Sequence, residues 1–344
     1  DLILDYIDID LPESIITKNQ IMMLDILANN NWERPIYFTG GSYEEAEYIW
    51  MKDYLQLDGL VYKLVPIKTS IENNPYEMGR IDSDLMYDIV KKWSWGNSES
   101  DEIYHDPETR KNSISFRGNL SRLSEKLISE GEYEKAEEIL DLAFSKMPID
   151  YYGYYSLWTP LVKSYYDIGK SEKVKEIVQK LSFKYSDRLS YFSSLEIYNQ
   201  YDVGEEIISD IERFRNLIET IQESGEREIL ADQIKSFISS SEQFNYIYGE
   251  YDYYISLSNF LVSLLELNEL EYSMSVIDKI EEQLIRRVSV FSNIDEDEQV
   301  YYLEGITSDI NQYSRLINQI EVYDIDAYNK YDKNLKDMLA RMIE

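Results

Sequence analysis

Residues 116–148 read FRGNLSRLSEKLISEGEYEKAEEILDLAFSKMP, and the spacing within them decides the fold. Leu120, Leu123 and Leu127 stand at helical intervals on one face, and Gly131 stops that first helix. Ala136, Ile139, Leu140, Ala143, Phe144 and Met147 then recur at helical steps until Pro148 ends a second helix. Two short helices cross closely only where small residues sit at the contact, which Ala136 supplies. Glycine at the turn permits the tight reversal. The stretch is a helical hairpin.

Working outward, the hairpin carries the marks of a tetratricopeptide unit. Leu positions lie in helix A, Gly-x-Tyr at the turn, a small Ala at the crossing and a terminal Pro. A second copy places Trp158, Leu161 and Tyr165 in helix A, Gly169 at the turn, and Val174, Ile177, Val178 and Leu181 in helix B. Gly131 and Gly169 lie 38 residues apart, slightly over the usual ~34. A third, degenerate hairpin is expected from Leu257 to Leu284 with its turn at Asn268. Further amphipathic helices are expected over Val203 to Ile221, Ile229 to Phe244, Ile306 to Ile320 and Tyr328 to Met342.

Before this array the periodicity is mixed. Leu2-Ile3-Leu4 and Ile7-Asp8-Ile9 read as a short β-like stretch. Thr17 and Gln20 have the spacing of a capping box and open a helix through Ile21, Leu24, Leu27 and Ala28. Pro35 to Thr39 and Leu60 to Val65 read as strands, with a helix between them starting at Ser42. This order predicts a small α/β layer, parallel in part. Residues 67–111 read as a connector around one short helix, Ser83 to Trp93, with Trp93 and Trp95 at its end. The expected fold is therefore mostly α. Residues 1–112 form a small α/β subdomain plus connector, and residues 113–344 a tetratricopeptide-like helical repeat array.

Composition limits the function. The 344 residues carry a formal charge of −32, which repels phosphate backbones and argues against nucleic acid as a partner. Aromatic residues make up 14%, so this charge coats a folded protein, not a disordered one. There is no cysteine, which removes disulfides, thiolate chemistry and cysteine-based zinc sites. No apolar run approaches the ~20 residues that span a bilayer. The chain opens on Asp1 without a leader-like segment, and reads as a piece of something longer.

Few constellations could carry chemistry. His105 is the one histidine and stands in a polar stretch, short of the partners a triad or zinc site needs. Asp82-Ser83-Asp84 could chelate a hard cation from a turn, or equally open a helix with acidic residues in its first turn. Asp295-Glu296-Asp297-Glu298 lacks the glycine and spacing of a calcium hand and reads as a solvated loop. The 32 tyrosines cluster at 151–155, 165–166 and 246–254; they suit sugar rings and peptides, or fill helix boundaries. Arg34, Tyr37 and Tyr62 on or beside the sheet, with Trp93 and Trp95 on the connector, are the expected ligand or partner residues. They would line a seam between sheet and helices, unless both tryptophans simply fasten the connector. No catalytic residue, metal ligand or cofactor is expected.

Three stretches carry a resemblance: Asn30-Asn31-Trp32-Glu33-Arg34-Pro35-Ile36-Tyr37-Phe38, then Asp53 to Pro66, then Gly79-Arg80-Ile81-Asp82 with Trp95-Gly96-Asn97. In this order they resemble the soluble C-terminal part of a bacterial family of multi-pass membrane proteins of unknown function. That family is similar to the transmembrane protein O-mannosyltransferases. The resemblance covers about residues 11–148. It implies an N-terminal bundle of membrane helices that would perform any glycosyl transfer from a lipid-linked donor. The soluble part would lie on the periplasmic face of the inner membrane. No catalytic acid carries over, since Asp82 matches a motif of the soluble part.

Three functions follow for comparison. The first is a non-catalytic accessory domain of a membrane-embedded glycosyltransferase-like protein, docked on its helix bundle and positioning acceptor protein or glycan. The second is a stand-alone glycan- or peptide-binding repeat module. The third is a metal-dependent transferase built on Asp82 and Asp84.

Overall fold

A computed structural model describes residues 3–9, 15–39, 49–69 and 78–343. The chain divides into two compact units, residues 1–174 and 175–344.

In the first unit, α1 (Lys18–Asn30) opens on the expected capping box. Gln20 N donates to Thr17 Oγ1 at 3.3 Å, and Thr17 N donates to Gln20 Oε1 at 2.8 Å. Asn31, in the left-handed region with φ 47°, ends it. Strand β1 is Tyr37–Thr39. A 3-10 turn over Ile49–Tyr54 leads directly into β2 (Leu55–Asp58), and Gly59-Leu60 turns the chain into β3 (Val61–Leu64). The sheet order is β1-β3-β2, and both pairs are antiparallel.

This corrects the expectation of a partly parallel layer. The strand β2 joins β3 through a two-residue loop, and such a loop imposes antiparallel pairing, whereas a parallel pair needs a long crossover. The parallel element among the described residues is an isolated bridge between Gln56 and Arg80. Residues 3–9 are not a strand either. Leu4 N donates to the Pro66 carbonyl at 2.8 Å, but a ladder needs successive alternating pairs. The helix expected from Ser42 lies outside the described residues.

The described remainder of the first unit contributes helices α2 (Ser83–Val90), α3 (Pro107–Ser129), α4 (Tyr133–Lys146), short α5 (Ile149–Tyr152) and α6 (Thr159–Asp167), with turns over residues 91–106. The helix α2 stops before the expected Trp93. The helix α3 starts nine residues before Phe116, because Asp106 caps it and Pro107 takes its first position. The expected boundary between residues 112 and 113 falls within α3. The helix α7 (Ser171–Ser194) starts in the first unit and continues into the second. The second unit adds α8 (Ile197–Asp202), α9 (Gly204–Glu223), α10 (Leu230–Ser241), α11 (Asn245–Tyr248), α12 (Glu250–Ile255), α13 (Ser258–Glu266), α14 (Leu270–Asn293), α15 (Glu296–Ile320) and α16 (Ile325–Ile343).

One turn recurs three times. After α3, Gly131 N donates to Ile128 O and Glu132 N to Leu127 O, the paired bonds of a Schellman motif. Gly169 and Lys170 make the same pair with Tyr166 and Tyr165, and Asn268 and Glu269 with Leu265 and Leu264. The three turn residues have φ 81°, 72° and 65°, and each next helix starts two residues later. Five residues beyond each turn stand Ala136, Val174 and Ser273, all fully buried. Four residues before it stand Leu127, Tyr165 and Leu264, also buried.

Candidate functional site

The two connector tryptophans come together. Trp93 and Trp95 lie edge-on at 5.6 Å, and both meet Phe116 of α3, at 5.2 and 5.5 Å between ring centres. Trp93 also covers the β2–β3 turn, where a side chain on Gly59 would stand 3.0 Å from its ring. Asn119 Nδ2 donates to the Gly59 carbonyl at 2.8 Å. A seam between sheet and helices thus exists, and both tryptophans are half-buried in packing it.

The other three expected residues are placed differently. Tyr62 is buried on the central strand, with its ring pressed under Gly79. Tyr37 and Arg34 are exposed, on the edge strand and just before it. The Arg34 carbonyl accepts from Asn30 Nδ2 at 2.8 Å, which ties it to the end of α1. Beside this edge is a cavity of about 390 Å³ lined by Ile7, Leu24, Leu27, Trp32, Ile36 and Leu64 among others, and by none of the five.

That cavity faces the inner side of α1. Its outer side carries Ile21, Met22 and Ile26, which are 55%, 54% and 59% exposed. No residue of the helix is buried. Polar residues hold six of its thirteen positions, Lys18, Asn19, Gln20, Asp25, Asn29 and Asn30. Here its outer face has no described partner.

A polar system fastens the sheet to the helices. Arg80 Nη1 donates to Gln56 Oε1, and Gln56 Nε2 donates to Asp58 Oδ1 at 2.9 Å, with Gln56 and Asp58 both buried. From α3, Arg122 donates to the carbonyls of Met78 and Gly79 at 2.9 and 2.7 Å. Asp82 caps α2 by accepting from Leu85 N at 3.2 Å, and Asp84 pairs with Lys135 at 2.8 Å. His105 packs against Tyr152, 5.0 Å between ring centres. Asp295 and its acidic neighbours begin α15.

Sequence reasoning missed Arg117. It is fully buried on α3, its guanidinium 4.9 Å over the Trp158 ring, and it donates to Gly153 O at 2.8 Å and Ser113 Oγ at 2.7 Å. Burial pulls its pKa down to about 10. Its place one residue after Phe116, on the Leu120 face of the helix, was the available signal. Five of the eleven clustered tyrosines prove to be packing residues: Tyr152, Tyr165, Tyr251, Tyr253 and Tyr254 are buried. Tyr165 donates to Asp141 at 2.6 Å, and burial raises its pKa.

The mostly helical fold begins with a small sheet and a helix on which Ile21, Met22 and Ile26 are each more than half exposed. Residues 1–85, which hold that sheet and helix, match the family model described as TMEM260-associated domain 2. The match links this part of the chain to the TMEM260 family, membrane proteins similar to protein O-mannosyltransferases. No curated protein and no solved structure matches the chain. No helix among the described residues is long and apolar enough to cross a membrane.

Proposed function

We propose that this chain is a non-catalytic accessory part of a membrane-embedded glycosyltransferase-like protein, docked on its helix bundle at the periplasmic face and positioning acceptor protein or glycan. The outer face of α1 carries this reading. Ile21, Met22 and Ile26 are each more than half exposed, on a helix within the segment that matches the TMEM260-associated model. Covering the exposed half of each would contribute about half of the ~1.5–3 kcal/mol of a full burial. The helix itself has only Lys18 and Asp25 as charges. The chain's net charge of −32 repels anionic lipid headgroups, so a protein surface is the better cover.

The helical part is, on this reading, a tetratricopeptide-like array. The recurring Schellman turns, and the small buried residues Ala136 and Ser273 at one position after them, support repeat units at 131, 169 and 268. A stand-alone module would leave the α1 face in water, which disfavours that alternative. Asp82 and Asp84 are engaged in a cap and an ion pair, which favours a structural over a metal-binding role.

A photo-crosslinking residue at Met22, in the protein expressed from its own gene, tests the docking. Capture of peptides from apolar membrane segments of the same polypeptide or its complex is the expected result. Capture of water-soluble proteins alone, or of lipid alone, overturns it.

A further inference from the structure

The helices α14 and α15 pack as neighbours in the second unit, and with α12 they frame a cleft of about 710 Å³. This is the size that takes a ligand of a few rings. Tyr251, Phe291 and Ile306 lie buried at its base. Tyr301 and Tyr302 stand on its rim, 84% and 61% exposed. Gly305 opens the α15 wall, since a side chain there would meet nothing within 4 Å.

Its charges are mixed and held in place. Arg287 lies 5.0 Å over the Tyr251 ring with Nη2 2.8 Å from Asp309 Oδ2, while Tyr251 Oη donates to the Asp309 carbonyl at 2.7 Å. Arg286 donates to Glu282 at 2.6 Å and stands 3.9 Å from Glu250. Glu298 lines the cleft as well. A phosphate or sulfate would therefore meet Glu250 and Glu298, and an ammonium or guanidinium ligand would meet Arg286 and Arg287. Either charge is opposed.

A neutral ligand rich in hydroxyls is not. Each hydroxyl can both donate to a carboxylate and accept from a guanidinium, and the flat C–H face of a sugar ring packs on tyrosine. An extended peptide needs partners for alternating backbone N–H and C=O groups. Gln283 is the one carboxamide among the described lining residues. The geometry points to a binding site for a neutral oligosaccharide in this cleft, with Tyr301 and Tyr302 as stacking surfaces and Glu250, Arg286, Arg287 and Glu298 bonding to hydroxyls. The site is carried by the second unit alone and does not depend on the docking of α1.

The test is titration of the full 344-residue chain with a panel of neutral oligosaccharides of glucose, mannose and N-acetylglucosamine, by saturation-transfer NMR and calorimetry. Saturable binding of at least one member is expected. The double variant Tyr301→Ala with Tyr302→Ala should weaken it at least about tenfold with the circular dichroism unchanged. Gly305→Leu, which favours the helix and projects into the open wall, should weaken binding without lowering Tm. Absence of binding across the panel overturns the site, as does binding indifferent to these substitutions. A neutral serine-rich peptide that binds more tightly than every sugar, with the same dependence on Tyr301 and Tyr302, also overturns it by assigning the cleft to polypeptide.

Discussion

Asn119 Nδ2 on α3 donates to the carbonyl of Gly59 at the tip of the β2–β3 turn, at 2.8 Å. The bond holds the hairpin tip against α3, the first long helix after the sheet. Gly59 has φ 72°, at the loop position where hairpin turns of type II′ take glycine.

Gly59→Ala should therefore lower stability by about 1–3 kcal/mol. The new methyl would stand 3.0 Å from Trp93 and 3.1 Å from Ile89 in a backbone conformation that alanine avoids. Chemical denaturation followed by Trp fluorescence measures this. An unchanged midpoint would mean that the turn is not held as described.

Arg117→Lys should cost about 2–3 kcal/mol despite keeping the charge. A lysine has one ammonium and cannot reach Gly153 O, Ser113 O and Ser113 Oγ from one planar fork. Thermal unfolding compared with the wild type reads the difference, and a Tm equal to wild type would remove the buried arginine from the account.

Alkaline pH should unfold the protein. Burial raises the pKa of Tyr165, Tyr251, Tyr253, Tyr313 and Tyr331 above the ordinary 10.0. These phenols stay protonated in the fold, while in the unfolded chain they ionise near pH 10. Stability is thus intact below pH 10 and is lost as pH rises above it, by about 1.4 kcal/mol per pH unit for each such tyrosine. Arg117 acts with opposite sign, since its folded pKa of about 10 lies below the ordinary arginine value, but one group does not offset five. A tyrosinate absorbance step coincident with loss of helical signal is the expected observation; gradual ionisation with the helices intact would contradict it.

Replacing Ile21, Met22 and Ile26 together by serine should leave the Tm of the isolated chain nearly unchanged, within about 0.5 kcal/mol per site. More than half of each of the three residues' surface already faces water. A fall of several degrees in differential scanning calorimetry would mean that the chain itself covers them.

The helical hairpins were legible because their signals are local. Gly131, Gly169 and Asn268 each close a turn from bonds within six residues, and Leu120, Leu123 and Leu127 show their period directly. The strand β2 was not. Leu55-Gln56-Leu57-Asp58 alternates over only four residues, and its buried Gln56 is satisfied by Arg80, which arrives from 24 positions along the chain. The antiparallel order followed from that missed strand. The start of α3 was obscured by a polar first turn, although Asp106-Pro107 is itself a cap signal: Asp106 Oδ1 accepts from Glu108 N at 2.9 Å. Of the expected ligand residues, Trp93 and Trp95 do meet on the connector. The cleft with Tyr301 and Tyr302 was invisible, because it exists only once α14 and α15 lie side by side.

Hydrogen exchange at residues 18–30 tests the central claim most directly, comparing the isolated chain with the protein expressed from its own gene and kept with the membranes of its host. If α1 docks on a membrane-helix bundle, its amides should exchange at least about tenfold more slowly in the membrane-embedded protein, since opening then also requires undocking. Equal exchange in the two preparations, with the rest of the fold equally protected, would contradict the docking of α1 and with it the proposed accessory role.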